Sequence, residues 1–93
     1  MKINDDIKTE KHYAYMLRCA DNTIYSGYTN NLEKRLISHN KGIASKYTRV
    51  RLPVTLVYYE EFETKSEALK REASFKKLNR NQKEELIAAF KTI

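Results

Sequence analysis

Two tyrosines, Tyr15 and Tyr25, stand ten residues apart, and an arginine, Arg35, stands ten further on. His39 follows Arg35 at helical i, i+4 spacing, and Glu72 falls in a later helical pattern. A phenol, a guanidinium, an imidazole and a carboxylate gathered in one cleft could act on a phosphate: arginine counters its charge and glutamate holds a cation. Each residue also has a plain structural use. Tyrosines fill small cores, arginine stems lie along apolar surface, a lone histidine on an apolar face is usually hydrogen-bonded core, and carboxylates often sit at stripe edges. Which use applies depends on the elements that carry these side chains.

His12 to Cys19 reads as a strand and Thr23 to Gly27 as its partner, with the turn between them. A two-residue turn, Asp21-Asn22, would pair Arg18 with Tyr25 and put the two tyrosines on opposite faces. A three-residue loop, Ala20-Asp21-Asn22 with Asn22 left-handed, pairs Leu17 with Tyr25 and Tyr15 with Gly27. Tyr15 and Tyr25 then become diagonal neighbours on one face. The three-residue loop is the expected one, with Gly27 leaving an empty space opposite Tyr15 where a ligand could approach.

Asn30 with Glu33 resembles a capping box opening a helix that Gly42 closes. On that helix Leu32, Leu36 and His39 share a stripe, with Arg35 on its flank. Ile43 to Pro53 reads as a basic loop, and Val54 to Phe62 as a third strand. Thr64 with Glu67 opens a helix to Leu78, and Asn81 with Glu84 a last helix to Phe90. On the first of these, Glu72 falls beside Ala68 and Phe75, inside the apolar stripe. A carboxylate there costs several kcal/mol unless paired, hydrogen-bonded or metal-bound. The order is ββαβαα, an α+β class fold with a three-stranded, mainly antiparallel sheet flanked by helices. Residues 1–11 read as a flexible tail and 12–93 as one domain.

The chain has 93 residues, 41% of them apolar, enough for one small core. Its formal charge is +6. Lys34, Arg35, Lys41, Lys46, Arg49 and Arg51 form an acid-free basic run up to Tyr59. Lys70, Arg71, Lys76, Lys77, Arg80 and Lys83 form a second, against Glu72 alone. Segregated basic charge points to a polyanion, most simply nucleic acid, although a basic face can also serve solubility. No apolar run approaches the roughly 20 residues of a membrane span, and the polar N-terminus lacks a signal-peptide core. Cys19 is the single cysteine, so an internal disulfide and a cysteine-rich zinc site are excluded; it reads as a small core residue. A cytoplasmic setting and no membrane partner are expected.

Tyr13-Ala14-Tyr15 and Tyr25-Ser26-Gly27, followed by Arg35, His39 and then Glu72 within SEALKREASFKK, resemble the GIY-YIG nuclease superfamily. SKYTRVRLPVTLVYYEEF and LNRNQKEELI are similar to its small stand-alone bacterial members. The likeness covers residues 12–88. It departs from the family pattern at Tyr13, where glycine is usual, at Ala14 and at Ser26, where isoleucine or valine is usual. Tyr28 stands where repair-nuclease relatives often carry lysine. The late asparagine of larger members has no clear match, with Asn79 and Asn81 both candidates.

The resemblance implies an endonuclease that hydrolyses DNA phosphodiester bonds with one Mg²⁺ or Mn²⁺, in DNA repair or recombination. It implies Tyr15, Tyr25, Arg35, His39 and Glu72 as catalytic residues: Glu72 on the metal, Arg35 on a phosphate oxygen, Tyr15 activating water with Tyr25 as relay, and His39 orienting water or phosphate. Lys34, Lys46, Arg49, Arg51, Lys76 and Lys77 would bind the nucleic-acid backbone. The alternative is a nucleic-acid-binding module with weak or no catalysis, or a purely structural domain. A monomer is expected.

Overall fold

The computed structural model describes residues 10–91. The expected tail falls mostly on residues 1–9, outside the described residues. Lys11 lies within them, and its ammonium meets Glu63 at 2.8 Å. Strands β1 (His12–Arg18) and β2 (Ile24–Thr29) form a hairpin, followed by helices α1 (Leu32–Asn40) and α2 (Lys46–Arg49). Strand β3 (Thr55–Phe62) and helices α3 (Lys65–Phe75) and α4 (Arg80–Lys91) follow among the described residues. The sheet order is β2-β1-β3, antiparallel throughout.

The hairpin loop is the three-residue one. Asn22 adopts φ 71°, a left-handed conformation that asparagine tolerates, and its N–H donates to Cys19 O at 2.9 Å. The carboxylate of Asp21 accepts from the Thr23 N–H and hydroxyl, which sets the loop. The register follows: Leu17 faces Tyr25 and Tyr15 faces Gly27. The space beside Gly27 is not open to a ligand, however. A β-carbon there would lie 2.5 Å from the Tyr15 hydroxyl oxygen and 2.6 Å from its Cζ. Tyr15 fills that space itself.

Alternation along β1 builds two cores. Ala14 and Met16 pack with Tyr58, Phe75 and Ile87 under α3 and α4. Tyr15, Leu17 and Cys19 pack on the other face against Leu32 and Leu36 of α1 and the Leu52–Val54 segment. Cys19 is thus a buried free thiol within a core. Between β1 and β3 the register slips, Met16 facing Tyr58 but Leu17 facing Leu56, so Val57 is a bulge residue and joins Tyr58 in the first core.

The helix ends differ from the sequence expectation in instructive ways. Asn31, not Asn30, caps α1: the Thr29 hydroxyl accepts the Asn31 N–H and holds Asn31 extended, so its side chain accepts from Lys34 N at 3.0 Å. The basic loop contains α2, because the Ser45 hydroxyl accepts from both Tyr47 N and Thr48 N. Helix α3 tightens after Phe75, where Lys76, Lys77 and Leu78 donate to carbonyls three residues back. Asn79 and Gln82, not Asn81 and Glu84, form the last capping box, each side chain accepting the other's backbone N–H. Glu84 is drawn away by Arg18, which donates both terminal nitrogens to it at 2.9 and 2.8 Å, while Arg80 donates at 2.9 Å.

These arginines, Arg18 foremost, hold the Glu84 carboxyl down to about 2 from its ordinary 4.5. A lowered native pKa adds stability above the unfolded value, and that stability is lost as pH falls. Thermal melts should therefore show Glu84→Gln less stable than the parent at pH 6, with the difference shrinking between about pH 4.5 and 2. A pH-independent difference would remove this linkage. Gly27→Ala should displace the Tyr15 ring and cost about 1–3 kcal/mol, the range for overpacking. An unchanged melting temperature would mean that Tyr15 does not fill the space.

Candidate active site

Tyr15 projects from the middle of β1, 3% exposed. Its hydroxyl lies 2.9 Å from Nε2 of His39 on α1. His39 is itself 1% exposed, and its Nδ1 lies 2.8 Å from the hydroxyl of Thr48 on α2. Both ring nitrogens are therefore occupied inside the protein, and His39 faces Tyr15 rather than water.

Tyr25, one step along β2 on the same face, sets its ring edgewise to His39 with centroids 5.3 Å apart. Its other neighbour is Tyr47 of α2, stacked at 5.9 Å and 23°. The Arg51 guanidinium lies 3.8 Å over the Tyr47 ring, anchored by Asp21 at 3.0 Å and by the Tyr47 carbonyl at 2.7 Å. Asp21 of the hairpin loop thus reaches Tyr25 through Arg51 and Tyr47.

Arg35 is half-buried on α1, one turn before His39. Among the described residues its guanidinium has no hydrogen-bonded or ion-paired partner. It lines a cavity of about 210 Å³ with Thr29, Asn30, Asn31, Lys34 and Ser38. Glu72 approaches from α3, its side chain 16% exposed, with the Lys76 ammonium 2.8 Å away. The carboxylate on the apolar stripe is thus paired one turn along its own helix.

Burial is the main influence on the titrating groups. It pushes the Tyr15 phenol well above its ordinary pKa of 10.0, with the Tyr25 and Glu72 charges in the same direction and Arg35 against them. Burial also lowers His39 below 6.5, and the Arg35 cation lowers it further. Tyr15, Tyr25 and His39 are in direct contact, and Arg35 and Glu72 are near enough for their charges to act on Tyr15.

Among the described residues no cluster of three or more histidine, cysteine, aspartate or glutamate side chains could enclose a metal ion. One largely buried carboxylate suits Mg²⁺ or Mn²⁺ in a different way, since such ions keep several waters and take further oxygens from substrate phosphate. Lys34, Lys46, Arg49 and Lys77 are exposed and have no carboxylate partner among the described residues. Lys76 is paired with Glu72, and Arg51 is held by Asp21 and Tyr47. Tyr28 lies toward the end of β2, its hydroxyl 2.7 Å from His12 Nδ1 and Lys65 over its ring. Asn79 caps α4 and Asn81 is exposed on its first turn. Thr48 and Tyr47 escaped the sequence reading. Tyr47 carried a weak signal as the one aromatic of a basic loop, and Thr48 carried none.

A family model described as the GIY-YIG catalytic domain matches residues 11–85. A UPF0213 protein of Bacillus licheniformis is 56% identical over 81 residues, covering 87% of this chain and 84% of that one. One of Staphylococcus saprophyticus is 52% identical over 79 residues, covering 85% and 96%. Two solution NMR structures share the architecture. A UPF0213 protein of Bacillus halodurans has 40% identity and TM-score 0.55, with coverage of 85% and 84%. A protein of E. faecalis has 47% identity and TM-score 0.60, covering 91% of each chain. The fold, the ordered motif residues and these relatives agree: the chain belongs to the GIY-YIG family.

Proposed function

We propose that the chain is a metal-dependent endonuclease that hydrolyses DNA phosphodiester bonds. The family points to a nuclease. The observation that carries the reading in this chain is the Arg35 guanidinium, which has no ion-paired partner among the described residues, lines an open cavity and lies near enough for its charge to act on the buried Tyr15–His39 pair. A half-buried cation without a carboxylate calls for an anion, and its planar fork matches two phosphate oxygens.

In this reading Arg35 holds a non-bridging oxygen of the scissile phosphate. Glu72 would hold a single Mg²⁺ or Mn²⁺ ion, exchanging its contact with Lys76 for the stronger charge. When bound, the ion supplies Lewis-acid stabilisation of the phosphate and of the leaving oxygen. Tyr15 takes the proton from the attacking water. Its buried phenol is not ionised near neutrality, so the hydroxyl proton must pass on as the new one arrives. Tyr25, packed on His39 and Tyr47, holds the imidazole against Tyr15. Lys34, Lys46, Arg49 and Lys77 would track the DNA backbone without reading bases. Repair or recombination is the biological setting we favour, within a reducing cytoplasm.

A nicking assay on plasmid and on branched and single-stranded DNA, with Mg²⁺ or Mn²⁺, tests this. Tyr15→Phe, Arg35→Ala and Glu72→Ala should each lower cleavage by about 100-fold or more while retaining binding. Cleavage that survives Glu72→Ala, or persists in chelator, contradicts the metal mechanism. Salt-dependent binding with no cleavage under any condition would mark a binding module instead. The double variant Lys46→Ala, Arg49→Ala should weaken binding to all sequences alike and reduce the salt slope by about 2.

A further inference from the structure

The buried chain Ser45 O, Thr48 Oγ1, His39 and Tyr15 raises a question about proton placement. A neutral imidazole carries one N–H, and a threonine or tyrosine hydroxyl donates once. Thr48 is 0% exposed and His39 1%, so water does not complete these contacts from outside. Two arrangements fit the distances. In one, the Thr48 hydroxyl donates to Nδ1, Nε2–H donates to the Tyr15 oxygen, and the Tyr15 hydroxyl proton is left without a partner among the described residues. In the other, the Thr48 hydroxyl donates to the Ser45 carbonyl at 3.5 Å and accepts from Nδ1–H at 2.8 Å. The bare Nε2 then accepts from the Tyr15 hydroxyl at 2.9 Å. The second pairs every proton within the protein, whereas the first leaves the Tyr15 hydroxyl proton to water, and buried polar groups left unpaired are costly.

We propose that Thr48 is a positioning residue of this site: its hydroxyl fixes His39 as the Nδ1–H tautomer, so that the bare Nε2 accepts the hydroxyl proton of Tyr15. The tautomer rests on that pairing of protons within the protein. Its catalytic consequence rests on the phosphodiesterase reading above. The attacking water gives its proton to the Tyr15 oxygen as the Tyr15 proton moves to His39 Nε2. The water oxygen bonds to phosphorus, the bond from phosphorus to the leaving oxygen breaks, and that oxygen takes a proton from solvent. His39 then returns its proton to Tyr15, and Tyr15 releases the extra proton to water. Tyr15 never needs to ionise in the free protein.

The groups facing this pair are Tyr25 from β2, Arg35 from α1, Thr48 from α2 and Glu72 from α3. Arg35 opposes protonation of His39 in the free protein, and a phosphate on Arg35 offsets that charge. Proton acceptance by His39 is therefore favoured when substrate is in place.

Imidazole ¹⁵N NMR of the labelled 93-residue chain at pH 7.5 tests the assignment, with His12→Asn used to separate the two histidine signals. The parent should show a proton on Nδ1 and a bare Nε2. Thr48→Val should shift His39 toward the Nε2–H form, and Thr48→Ser should restore the parent signals. Thr48→Ala replaces the valine variant if that fails to fold, and the parent spectrum needs no variant at all. A parent with Nε2–H, or an unchanged tautomer in a folded Thr48 variant, overturns the proposal. In DNA cleavage, Thr48→Val should lower kcat about 10-fold with KM unchanged, and Thr48→Ser should recover it. Equal cleavage by parent and valine variant overturns the positioning role. A parent with the expected tautomer but no metal-dependent cleavage supports the tautomer and overturns the phosphodiesterase reading.

Discussion

The site depends on the absence of one β-carbon. Tyr15 can fold its ring across Gly27 because β2 offers no side chain there. That placement puts the phenol against His39, and His39 in turn meets Tyr25 and Thr48. The pairing of Tyr15 with Gly27 is itself set by the left-handed Asn22 in the hairpin loop. Shifting the register by one residue would send Tyr25 to the opposite face. A loop conformation, a glycine and a buried phenol therefore act as one device.

Around that device, charge is arranged in opposition. Glu72 reinforces the effect of burial on Tyr15, and Arg35 works against it. A phosphate bound at Arg35 and a cation bound at Glu72 would each offset one of these charges. The resting pair of Tyr15 and His39 is neutral, which suits a buried hydrogen bond and leaves the proton ready to move. The charged groups that tie the fold together lie elsewhere: Arg18 with Glu84 and Arg80 joins β1 to α4, and Arg71 with Glu60 and Tyr58 joins β3 to α3.

Much of this was legible in the chain. Alternation and turn chemistry gave the hairpin and the register, because a buried face punishes every other pairing. Helical spacing placed Arg35, His39 and Glu72 on inward faces. What escaped depended on side chains distant in sequence. Thr29 moved the α1 cap to Asn31, and Arg18 took Glu84 from the start of α4. The basic loop concealed α2, whose Tyr47 and Thr48 gain meaning only from Tyr25 and His39. Arg51, expected to bind a nucleic-acid backbone, is also held by Asp21 and lies over the Tyr47 ring, contacts that no local pattern announces.

The central claim is that Tyr15, Arg35 and Glu72 surround one scissile phosphate. A crystal structure of the Tyr15→Phe variant with a DNA duplex and Mn²⁺ tests it most directly. The predicted result is a phosphate oxygen on the Arg35 guanidinium, the ion on the Glu72 carboxylate and the edge of the substituted ring facing the phosphorus. DNA lying along another face, with Glu72 still paired to Lys76 and no ion beside it, would contradict that claim.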